Sequence, residues 1–109
     1  MPQAEFVVRP GYGPGAHPLI EFRGDHRADG YPPMLQLLQS TLPGPQVTGD
    51  SNLCDDHVRG CRFEGGAFEV SDDWGGLFIL ARHDHVRVIE AIAEALERTG
   101  VFRRIAAAS

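Results

Sequence analysis

Polar and apolar positions alternate along the chain with two periods, and the switch between them divides it into strands and helices. From Asp84 to Thr99 the residues Arg87, Glu90, Glu94, Glu97 and Arg98 fall within about 100° of arc on a helical wheel, while Val88, Ile89, Ile92, Ala93, Ala95 and Leu96 fill the opposite side. A helix so divided lies on something apolar. Asp84 is placed to cap its N-terminus through the carboxylate. Gly100 suits the left-handed position after its last turn, with Val101 folding back on Leu96. Glu90 and Glu94, with Arg98 four residues on, read as a solvated surface.

What this helix covers precedes it. Cys61 and Phe63 alternate with Arg62 and Glu64, Gly65-Gly66 reads as a tight turn, and Phe68 and Val70 alternate with Ala67, Glu69 and Ser71. Asp72-Asp73-Trp74-Gly75-Gly76 reads as a second turn. The run Leu77-Phe78-Ile79-Leu80-Ala81 is then apolar on both faces, as a central strand would be.

Earlier in the chain, Glu5-Phe6-Val7-Val8-Arg9 and Leu19-Ile20-Glu21-Phe22-Arg23 predict a pair of antiparallel strands joined by the glycine-rich segment 10–18. That segment lacks the dinucleotide fingerprint and opens no helix, so it reads as a connection or binding loop. Pro32 and Pro33 suit the first turn of a shorter amphipathic helix with Met34, Leu35, Leu37, Leu38, Thr41 and Leu42 on one side. Pro43-Gly44-Pro45 ends that helix. Gln46-Val47-Thr48 predicts a short strand, and Gly49 to His57 a polar loop.

The order ββα(β)βββα predicts one α+β domain over residues 1–109, with a mainly antiparallel sheet of about five strands and two helices packed on one face. A chain of 109 residues supports one modest core, and 42% hydrophobic with 23% charged residues is ordinary globular composition. The start of the chain has no basic, apolar leader, and the longest apolar run is too short to cross a bilayer. The expectation is a cytoplasmic protein with no membrane partner.

Charge narrows the function classes. The net charge is −5, and all ten basic residues are arginines scattered along the chain apart from Arg103-Arg104. Phosphate-backbone binding needs clustered cations, so a nucleic-acid partner is not expected. Without lysine, Schiff-base chemistry and a lysine phosphate cradle are excluded. An acidic surface suits a basic protein partner.

The sharpest chemical cluster is Cys54-Asp55-Asp56-His57 followed by Cys61, thiolate and imidazole ligands at a spacing that suits zinc. His83 and His85 stand at the end of the last apolar run as further ligands, with His17 and His26 beyond them. Against this, Cys61 also reads as a small core residue, and the histidines as surface residues near a loop and a helix cap. A nucleophilic cysteine with His57 as base and Asp55 or Asp56 behind it lacks the usual supporting loops. Asp72 and Asp73 are explained by turn chemistry, whereas Trp74 in a polar turn is either tucked over the core edge or displayed to a partner.

These observations lead to a small acidic non-enzymatic binding or regulatory protein, such as an inhibitor or immunity-type partner of a basic protein, with Asp72, Asp73 and Trp74 at the contact and no cofactor. The alternatives are a zinc-binding or metal-dependent enzyme built on Cys54, His57, Cys61, His83 and His85, and a self-associating subunit, a homodimer that covers the second face of its own sheet.

Overall fold

The computed structural model describes residues 4–11, 16–24, 30–42, 44, 46–53, 56–73 and 76–106; for Leu35, residues 46–53, residues 56–59 and Asp73 it describes the backbone alone. The chain forms β1 (Ala4–Pro10), β2 (Pro18–Phe22), α1 (Met34–Thr41), β3 (Gln46–Leu53), β4 (Asp56–Phe63), β5 (Gly66–Asp73), β6 (Gly76–Ala81), α2 (His85–Arg98) and β7 (Phe102–Ile105). The strands make one seven-stranded sheet in the order β3-β4-β5-β6-β2-β1-β7. Every neighbouring pair is antiparallel except β1 with β7, which run parallel. The α+β class, the largely antiparallel sheet and the two helices are as the sequence predicts.

Both helices press on one face. Val88, Ile89, Ile92, Ala93, Ala95 and Leu96 of α2 are buried, the same residues that the helical wheel assigns to its apolar side. They share one core with Met34 and Leu38 of α1, Leu42 beyond it, and the inward residues of six strands: Phe6, Ile20, Phe22, Cys61, Phe63, Phe68, Val70, Leu77, Ile79, Ala81 and Phe102. Phe22 sits between Phe6 and Phe102, its ring meeting that of Phe102 edge-on at 5.5 Å. No polar or charged residue is buried among the described residues.

The structure departs from the sequence reading at five places. Residues 49–53 and 56–57 are strand rather than loop: Gly, Asp, Ser and Asn favour turns in isolation, but Gly49 to Leu53 pair residue for residue with β4 after a register shift at Val47. The Phe63↔Gly66 rung closes the first hairpin around Glu64-Gly65, one residue earlier than expected. Asp72, Asp73 and Gly76 are ladder residues of β5 and β6 rather than turn residues.

β7 was not foreseen, because a four-residue strand with two central arginines carries little periodicity; pairing with β1 makes it. The cap of α2 also differs. Asp84 occupies the N-cap in a left-handed conformation (φ 44°), and its carboxylate bonds Arg87 and His83 instead of backbone N–H groups. At the other end Gly100 takes the expected left-handed conformation (φ 75°) and its N–H donates to Glu97 O. Glu90 binds Arg104 of β7 through both carboxylate oxygens at 2.7 and 3.1 Å, which ties the helix to the edge strand.

Candidate functional site

Among the described residues no helix covers the second face of the sheet, and strand alternation decides what stands on it. In β6 the side chains of Leu77, Ile79 and Ala81 point into the core, whereas Phe78 and Leu80 point away from it. β6 is the fourth of seven strands, so both lie at the middle of the open face, and Leu80 is 37% exposed. The sequence shows this strand as apolar on both faces. The expected cover on the second side is not supplied by either helix.

Toward β1 the same face is less exposed. Val7, Arg9, Leu19 and Glu21 occupy four corners of a cross-strand square, with Val7 opposite Glu21 and Arg9 opposite Leu19. Arg9 Nε lies 3.1 Å from Glu21 Oε1 across the diagonal, and Val7 and Leu19 are buried beside this pair. Glu5 and Arg103 pair on the next rung outward. Toward β5 the neighbours of Phe78 and Leu80 are Ser71 and Glu69, and the Glu69 carboxylate is held by Arg82 at 2.8 Å. An exposed apolar patch therefore lies on β6, with Ser71 and paired charges around it, while the other exposed large apolar side chain among the described residues is Val86 on α2.

Phe78 lies close to the hairpin end that carries the expected contact residues, but Asp72, opposite Leu77, is on the helix side of the sheet. Asp72 is half-buried and paired in register with His57 and Leu77, and Asp73 pairs with Gly76 as the last rung. Trp74 lies outside the described residues, as does the side chain of Asp73.

The expected metal ligands are spread over the molecule. Cys54 lies outside the described residues, and of His57 only the backbone is described. His57 and Cys61 are four positions apart on one extended strand, a separation of about 13 Å, too far for two donors to share one ion. The Cys61 side chain is buried in the core.

His83 and His85 do not stand side by side, because the strand has already ended at Ala81 and the chain turns through Asp84 into α2. The His83 ring faces Asp84, with Nδ1 3.4 Å from Oδ2. The His85 ring stacks on His17, with centroids 3.6 Å apart and planes within 5°. A face-to-face stack sends the nitrogen lone pairs out along two parallel planes instead of toward one point. Among the described residues no three His, Cys, Asp or Glu side chains are grouped to hold a metal ion.

The Asp84 carboxyl in this region is perturbed by its partners. The hydrogen bond from Arg87, and then that from His83, holds its carboxyl below the usual carboxylate range. Arg87 also donates to Gly65 O at 2.8 Å, so one guanidinium pins the β4–β5 turn to the start of α2. No helix among the described residues is long and apolar enough to cross a bilayer. Comparison with protein-family models, with curated proteins and with solved structures gave no match.

Proposed function

We propose that this chain is a non-enzymatic binding protein that engages another protein through the face of its sheet that carries Phe78 and Leu80, and onward to the Asp73-Trp74 end of the β5–β6 hairpin. The observation that carries the reading is the exposure of Leu80 on the central strand, beside a half-buried Phe78, where the described helices pack on the other side of a seven-stranded sheet. Contact energy concentrates in apolar and aromatic anchors ringed by polar residues, and this patch has Phe78 and Leu80 at its centre with Glu69, Ser71 and Glu21 around them. The net charge of −5 suits a basic partner, drawn in by long-range attraction before the apolar contact forms.

A photo-crosslinking side chain in place of Leu80, compared with one in place of the exposed Glu94 on α2, tests the proposal in extracts of the native cell. The expected result is a discrete adduct from position 80 and none from position 94. An adduct of twice the chain's own mass identifies the occupant as a second copy, and any other mass as a different protein. Adducts from position 94 alone, or from neither position, overturn the reading.

A further inference from the structure

At one end of the sheet, beside the Glu64-Gly65 turn, is a hollow of about 500 Å³ lined by Arg62, Gly66, Ala67, Arg82 and His83 among others. Its floor is a row across three strands. Arg62 of β4 stands opposite Ala67 of β5, and the Arg82 N–H donates to Ala67 O from the other side at 3.1 Å. Two strand spacings, about 9.6 Å, separate the arginine backbones, and the alanine between them leaves open the space above it. We propose that this hollow is a binding site for an oxyanion, a phosphate or carboxylate group held between the guanidinium groups of Arg62 and Arg82.

Arg62 and Arg82 put positive charge on both sides of the hollow, offset in part by Glu69 on Arg82. Arg82 gives one N–H to Glu69 and keeps others to donate, since a guanidinium carries five. Arg62 is exposed and has no carboxylate partner among the described residues. Planar guanidinium forks match the geometry of carboxylate and phosphate oxygens.

His83 closes the end of the hollow. Its Nδ1 side faces Asp84, and Cε1 and Nε2 face Gly66, where an added Cβ would lie 3.4 Å from Cε1 and 2.8 Å from Val88 Cγ2. Asp84, which holds this ring, is the only non-glycine with positive φ among the described residues, and strained backbone of that kind gathers at binding sites. Glu64 lines the same hollow and opposes an anion, so the site suits a bound group that meets both arginines at once.

The test needs no protein partner and stands or falls apart from the crosslinking at Leu80. Isotope-labelled protein is titrated at low salt with inorganic phosphate and, separately, with acetate, and the amide signals of Gly66, Ala67 and Arg82 are followed. Saturable shifts are expected, with affinity lowered at least about tenfold in Arg62→Gln and in Arg82→Gln. Arg23→Gln, at the opposite end of the sheet, should leave the affinity unchanged, and Glu64→Gln should raise it. Tighter phosphate than acetate binding identifies a phosphorylated ligand, and the reverse a carboxylate. No saturable shift with either anion, or wild-type affinity in both hollow variants, overturns the proposal.

Discussion

The two faces of the sheet are built from the same strands by alternate residues, yet they are closed in different ways. The inner face is closed by size and shape: Phe6, Ile20, Phe68, Ile79 and Phe102 meet Ile89, Ile92 and Leu96 with no buried polar or charged residue among them. The outer face is closed in part by charge, where ion pairs such as Arg9–Glu21 and Glu69–Arg82 stand among shorter apolar side chains and leave Leu80 uncovered. Burial of apolar area scales with the area removed from water, whereas exposed pairs contribute little. Stability should therefore reside on one face, and freedom to bind on the other.

Neighbouring positions on β6 give the largest expected contrast. Ile79→Ala should lower the unfolding free energy by about 2–5 kcal/mol, as should Leu96→Ala and Ile92→Ala on the helix. Leu80→Ala, one residue along, should cost about 1 kcal/mol or less. Urea denaturation of the four variants measures this, and equal losses at 79 and 80 would mean that the outer face is core as well.

The next effect sharpens the account of the inner face. Helix and sheet approach closely at Gly66, so Gly66→Ala places a methyl against Val88 Cγ2, which is itself buried. The expected loss is about 1–3 kcal/mol, read as a drop in melting temperature, and Val88→Ala in the same chain should recover part of it.

On the outer face, Glu21→Gln should cost less than about 1 kcal/mol, and that loss should shrink further in 1 M salt. A loss that ignored salt would show that the square of Val7, Arg9, Leu19 and Glu21 is held by packing alone.

The smallest effect concerns pH. Folding lowers the Asp84 carboxyl relative to the unfolded chain, so whatever stability it contributes is present above the unfolded value and is lost as pH falls through the folded one. An NMR titration should place its midpoint below the usual carboxylate range, and Arg87→Gln should move it back up. With no carboxylate or imidazole buried among the described residues, the inner face should keep its amide protection through that window.

The contrast also separates what could be read from the sequence. The inner face was legible because apolar periodicity reports burial directly: every buried residue of α2 follows from its spacing, and Gly100 marks the end of that helix. β3 was legible only at its start, since its Gly-Asp-Ser-Asn stretch carries local turn preferences that pairing with β4 overrides. β7 depends wholly on a partner about a hundred residues away. The outer face depends on register. Nothing local sets Arg62 and Arg82 on either side of Ala67, or His85 against His17, so spacing along the chain joins His83 to His85 while the fold turns them apart.

The parallel pairing of β1 with β7 also has a consequence in time. β1 leaves the ribosome before the other strands of this sheet, and one of its edges has no partner until Phe102–Ile105 has been made. At ordinary rates of synthesis that wait is on the order of ten seconds, long compared with the formation of a hairpin. During it β1 and β2 can pair with each other but not complete the sheet, and Val7 and Phe6 remain beside an open row of N–H and C=O groups that another nascent chain can join. A ladder of four rungs thus decides when the domain becomes safe from its neighbours.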